Sequence, residues 1–179
     1  KLIEEVRNCI DKERANKIKL NLPSVCFSGV FKTRTDEGLE KHSGFLVLDF
    51  DEVEDLRDFQ TDIISKDYVY ACWISPRANG LKALVKIASD KHREHFQALL
   101  EEFPTADKSG VNESRVCYES FDPDIYINTK CKPFTKTQKV EKIEVFENAD
   151  TTKTINNILT WLSNRGDAFV SGERNLFIF

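Results

Sequence analysis

The chain has 179 residues, a formal net charge of -4, 40% hydrophobic residues and 31% charged residues. That apolar content is enough to bury a core, which excludes global disorder, and the length suits one domain with a small appendage. No apolar run approaches the ~20 residues of a membrane-spanning helix, and the mild acidity excludes a bulk cationic coat but not a local basic groove.

The chain opens on the polar, amphipathic Lys1-Leu-Ile-Glu-Glu5 rather than on a secretory signal, and it contains no Met. It stops inside an apolar run, Leu176-Phe-Ile-Phe179, so a piece of a longer cytoplasmic protein is expected. The five cysteines (Cys9, Cys26, Cys72, Cys117, Cys131) form no C-x-x-C pair, which points away from a zinc ribbon or disulfide framework. Cys26, Cys72 and Cys117 sit in apolar runs, as small buried thiols do.

Leu2, Ile3, Val6, Ile10 and Ile18 have helical spacing, and Pro23 ends that helix. Val25–Phe31 reads as a strand broken at Gly29, and Thr33–Gly44 as a polar loop. Phe45–Asp51 is the strongest strand, followed by a helix over 53–65 with acids in its first turn. Tyr68–Ile74 and Leu81–Ile87 are strands around the turn Ser75-Pro-Arg-Ala-Asn-Gly80, and 90–102 is helical. Arg115–Ser120 and Ile125–Ile127 are short strands around Asp122-Pro123. The lysine-rich stretch from Lys130 to Lys142 resembles a linker, and a new helical unit opens at Thr151, capped by Asp150 or Thr151. Interleaved strands and helices predict an α+β fold, a mixed or antiparallel sheet with helices on one face. The expected divisions are a domain over 1–135, a linker over 136–150 and a truncated helical region over 151–179.

Asp49 and Asp51 are two apart on a strand, so they share a face, with Cα atoms roughly 6.6 Å apart. Two carboxylates held like that repel unless a cation lies between them, and Mg²⁺ or Mn²⁺ has the hard-ligand chemistry to fit. Otherwise they are simply solvated. The Ser75–Lys82 turn can offer backbone N–H groups, a hydroxyl and cations to phosphates, with Gly80 allowing close approach, or it is an ordinary hairpin turn. Asp107 can complete a three-carboxylate site or be a turn aspartate; Asp122 and Asp124 stand behind it as alternatives. His92 and His95 are expected on a solvated helix face, and Tyr70 and Trp73 in the core.

Four segments in order, Leu22-Pro…Phe27-Ser-Gly…Phe31, Ser43-Gly-Phe-Leu-Val-Leu-Asp-Phe-Asp51, Ser75-Pro-x-x-Asn-Gly-Leu-Lys82 and Asp107…Ser114-Arg115-Val…Ser120-Phe-Asp-Pro-Asp124, resemble the VirE N-terminal domain family. That family is a branch of the archaeo-eukaryotic primase superfamily. The resemblance covers roughly residues 15–135. It implies an RRM-like primase-polymerase core with two metals, Mg²⁺ or Mn²⁺, held by Asp49, Asp51 and Asp107, which would be catalytic. Ser75, Asn79, Gly80, Lys82, Arg115 and Arg34 would bind the NTP or dNTP. Lys82 stands where that superfamily has a histidine. Lys130, Lys132, Lys136 and Lys139 would contact a single-stranded DNA or RNA template. Gly172-Glu-Arg-Asn175 resembles the start of a helical domain that follows such cores. A fused helicase is a possible partner and a membrane is not. The implied activity is primer synthesis or extension by two-metal nucleotidyl transfer. The alternatives are a degenerate domain that only binds single strands and a metal-dependent nuclease.

Overall fold

The computed structural model describes residues 1–88 and 91–139. The amphipathic start forms two short helices, α1 (Leu2–Asn8) and α2 (Lys12–Lys19), rather than one. Asp11 is the reason for the break: its carboxylate accepts from the N–H groups of Glu13 and Arg14 at 2.9 and 3.1 Å, so a new helix starts there. Ile10 lies in the break and is fully exposed. The next expected strand also divides, into β1 (Ser24–Val25) and β2 (Gly29–Phe31), which join different partners. The expected loop over 33–44 contains a strand, β3 (Leu39–His42), antiparallel to β2. Its Leu-Glu-Lys-His sequence has little apolar alternation, so periodicity alone does not reveal it.

The main sheet is formed by β4 (Phe45–Phe50), β5 (Val69–Ile74), β6 (Leu81–Lys86) and β8 (Tyr126–Ile127), in the order β4-β6-β5-β8 with every ladder antiparallel. A separate ribbon pairs β1 with β7 (Cys117–Tyr118). Along β4, Leu46, Leu48 and Phe50 turn inward and are buried, while Phe45, Val47 and Asp49 face the other way. The inward face packs against α3 (Leu56–Ile64) and α4 (His92–Glu102) through Ile63, Phe96 and Leu99. Asp55 caps α3, accepting from the N–H groups of Arg57 and Asp58, both at 3.0 Å. The fold is therefore α+β, with four helices and antiparallel sheets among the described residues.

The outward face carries a second apolar cluster: Ala71, Trp73, Leu84 and Cys117, with Phe27, Phe45, Val47 and Tyr70 packed on it. Trp73 belongs to the core, as expected. His92 and His95 do not lie on a solvated face: each is about 1% exposed, because α4 turns them toward its neighbours. Residues 131–138 run as an extended strap rather than a free linker. Phe134 is buried against Tyr68 and His95, and its N–H and C=O bond Lys86 and Ala88. The described residues fall within one compact unit, residues 1–140. The helix expected from Thr151 and the Gly172–Asn175 segment lie outside the described residues. No described helix is long and apolar enough to cross a membrane.

Candidate functional site

The register of the sheet aligns Asp49 of β4 with Lys82 of β6, and Lys82 with Trp73 of β5, in one row across the outward face. Directly opposed residues on an antiparallel pair bring their side chains together, and Lys82 Nζ donates to Asp49 Oδ2. The lysine is almost buried, with 5% of its side chain exposed against 20% for Asp49. Such a burial is tolerated only because the charge is paired. The other oxygen, Asp49 Oδ1, is buried and accepts no hydrogen bond among the described residues.

Asp107 arrives beside this pair through its backbone: its N–H donates to the C=O of Asp49 at 2.8 Å. Asp107 caps a short helical turn, Lys108–Val111, which covers the open edge of β4. Its Oδ1 accepts from Ser109 N–H at 2.9 Å, and its Oδ2 from Ser109 Oγ at 2.6 Å and Arg115 Nη2 at 3.1 Å. Burial raises the Asp107 carboxyl, but Ser109, Arg115 and Lys82 together hold it below the usual aspartate range. Gly110 is packed tightly at this edge: a Cβ there would lie 2.6 Å from the Phe96 ring and 3.1 Å from the Val47 carbonyl.

A small cleft opens over these groups, lined by Ser28, Asp49, Lys82, Ser109, Asn112 and Arg115 among others. Asp49, Lys82 and Arg115 are the charged residues that line it, and Asp107 stands behind them, bonded to Arg115 and Ser109. Next to it, on the same outward face, runs an apolar groove of about 570 Å³ floored by Tyr70, Ala71, Trp73 and Leu84. Cys117 lines both.

Of the expected site residues, the structure brings Asp49, Asp107, Lys82 and Arg115 together. Asp51 departs. The strand ends at Phe50, and Glu52 takes a left-handed backbone (φ 52°) that turns the chain away. Asp51 is exposed and lines a separate acidic cleft with Glu52, Glu54, Asp55, Asp58 and Asp62. The Ser75–Gly80 turn is closed on itself, with Ser75 N–H bonded to Gly80 O and Ala78 N–H to Ser75 O. Ser75, Asn79, Gly80 and Arg34 are not among the residues lining the Asp49 cleft. Lys132 pairs with Asp67 at 3.0 Å and Lys136 with Glu102 at 2.6 Å, while Lys130 and Lys139 are exposed. Asp122 is used structurally, accepting from Ile74 N–H at 2.8 Å. Ser28, Ser109 and Asn112 escape a sequence reading. Only Ser109 carries a signal, in the Asp-x-Ser spacing that lets a carboxylate bond its own turn.

Among the described residues, no three His, Cys, Asp or Glu side chains gather into a group able to hold a metal ion. A protein-held cluster of Asp49, Asp51 and Asp107 therefore does not fit this arrangement. Asp49 Oδ1 is a buried carboxylate oxygen without a hydrogen bond, which is the kind of atom a hard cation bringing ligands of its own would meet.

The family model for the BT4734-like N-terminal domain matches residues 17–127, more than half of the chain. The chain belongs to that family. This corrects the resemblance to the VirE N-terminal domain and to the primase superfamily: the matching model is the BT4734-like one, and it spans the same segments that carried the resemblance. No curated protein and no solved structure matches the chain.

Proposed function

We propose that this BT4734-like domain is a nucleotidyltransferase that makes or extends primers on single-stranded nucleic acid, using an NTP or dNTP. The observation that carries the reading is the Asp49–Lys82 pair and Arg115 lining one cleft on the face of the sheet opposite α3 and α4, with Asp107 paired to Arg115 beside it. The βαββα run of β4, α3, β5, β6 and α4, with both helices on one face, supports an RRM-like core. Arg115 is half exposed and presents a fork suited to phosphate oxygens. Lys82 supplies a point charge, which neutralises a triphosphate without imidazole geometry.

Mg²⁺ or Mn²⁺ would enter with the triphosphate, because such ions are commonly held by one or two carboxylates plus phosphate oxygens. Asp49 and Asp107 would hold it, and bound there it would supply Lewis-acid polarisation of phosphoryl oxygens. The chain's own part is charge exchange. As phosphates approach Lys82 and Arg115, the carboxylates lose their cationic partners and are left to face the ion. Template contact by Lys130 and Lys139 would add a salt-sensitive component.

The test is primer synthesis on a single-stranded template with Mn²⁺ and NTPs or dNTPs. Wild type should yield product, and Asp107→Asn should lose it by at least 100-fold. A second reading, a domain that binds single strands without catalysis, is favoured by the self-neutralised pairs and by the absence of a three-carboxylate group among the described residues. Template binding with no product under any nucleotide would select it. Shortening of the input strand would select the nuclease reading instead.

A further inference from the structure

We propose that His42 and His92 form a proton-sensitive latch that positions the Asp107 turn against β4. The inference takes from the proposed function only that the turn capped by Asp107 borders the working cleft.

The two rings stand edge to face, with centroids 5.4 Å apart. They join three pieces of backbone into one directional chain. Gly44 N–H donates to His42 Nδ1 at 2.9 Å, so that nitrogen must carry its lone pair. His42 Nε2 then bears the proton, and it faces His92 Nδ1 at 3.2 Å. His92 Nε2 lies 3.0 Å from the Gly110 carbonyl, which can only accept. Both ends therefore demand the same tautomer, with hydrogen on Nε2 of each ring, and the middle link is satisfied by the same choice. The chain runs from the β3–β4 turn, through the first turn of α4, to the turn that carries Asp107 and Ser109.

One extra proton breaks it. On His92 the proton goes to Nδ1, so two N–H donors oppose each other across the 3.2 Å gap. On His42 it goes to Nδ1, against the Gly44 N–H. His92 also lies at the positive end of α4, which disfavours a cation there. Among the described residues, the charged groups that act on His92 are Glu113 after the turn, Asp36 before β3, and Arg93 on α4 itself. Burial pushes the His92 ring below the ordinary imidazole range. The Gly110 carbonyl, Glu113 and Asp36 oppose that shift, and Arg93 adds to it. A base whose folded value is depressed leaves stability unaffected at neutral pH. The folded state loses ground as pH falls below about 6.5, where the unfolded ring takes up its proton first.

The test uses the full chain and no activity measurement. Long-range ¹H–¹⁵N spectra of the imidazoles should show the Nε2–H tautomer for both rings at pH 7.5. As His92 titrates, amide exchange at Ser109, Gly110 and Val111, corrected for intrinsic rate, should rise at least 10-fold relative to α3. His92→Gln keeps an N–H donor near the Nε2 position and cannot titrate, so its turn should stay protected at acid pH. An Nδ1–H tautomer on either ring at neutral pH overturns the latch. So does a turn indifferent to His92 titration, or equal acid sensitivity in His92→Gln. If that variant fails to fold, the wild-type titration alone decides. An inactive enzyme with a working latch would sink the proposed function and leave this inference standing.

Discussion

At the residue scale, the pairing of Asp49 with Lys82 changes what each side chain is for. A strand-end aspartate in a D-x-D pair is expected to be removable without harm, since crowded exposed acids repel. Here Asp49 instead neutralises a lysine that is nearly buried. Deleting one member of such a pair leaves an uncompensated charge and costs about 3–5 kcal/mol, whereas replacing both is close to neutral. Lys82→Met should therefore lower the urea-unfolding free energy by an amount of that order. The double variant Asp49→Asn/Lys82→Met should recover most of it, which a double-mutant cycle measures. Asp107 is a different case. Its carboxyl is held low, so its contribution to stability is present above the unfolded value near 3.9 and is lost as pH falls through the lower folded value. Arg115→Ala removes one cause, so the Asp107 midpoint followed by carboxyl ¹³C NMR should move up. No movement would mean that the Arg115 contact is absent in solution.

At the element scale, the hairpin joining β5 to β6 shows what the Gly80 of the expected phosphate loop packs against. Gly80 has room for no side chain: a Cβ would lie 2.1 Å from the Phe50 carbonyl and 3.3 Å from the Asp51 Cα. The close approach that glycine permits is made by the protein's own backbone rather than by a ligand. Gly44 is the opposite, with a left-handed φ of 81° but nothing nearer than 3.9 Å to an added Cβ. Gly80→Ala should consequently destabilise more than Gly44→Ala, whose strain is of order 1 kcal/mol; thermal unfolding of the two variants gives the ranking. The long elements were legible because they have strong periodicity: β4, α3, β5, β6 and α4 fall where apolar spacing puts them. The α1–α2 break and β3 were not, because a capping aspartate and a polar strand leave no periodic trace. The turn over Lys108–Val111 was missed for a related reason. It is built by bonds from Asp107 to its own neighbours and to Asp49, and only the second of these carries long-range information.

At the scale of the whole molecule, the sheet separates two jobs. One face is sealed by α3, α4 and the 131–138 strap, and the other holds the charged cleft and the apolar groove. Asp49 and Lys82 are legible as candidates because they lie on strong strands, and Asp107 because it stands out as an acid after a helix. Their assembly was not readable, since strand register and the β4 edge contact are tertiary facts. Asp51 lies apart from Asp49 because the expected strand alternation runs one residue past the end of β4. The strap tests this division of labour. Its lysines look like a nucleic-acid tract in sequence, yet Phe134 anchors it into the helix-side core, beside Tyr68 and His95. Phe134→Ala should cost about 3–5 kcal/mol, the usual penalty for emptying a buried aromatic site. Lys132→Ala, which removes only an exposed ion pair, should change stability by less than about 1 kcal/mol. If urea unfolding gave these two variants equal losses, the strap would be held by charge rather than by Phe134, and the sealed face would have to be redrawn.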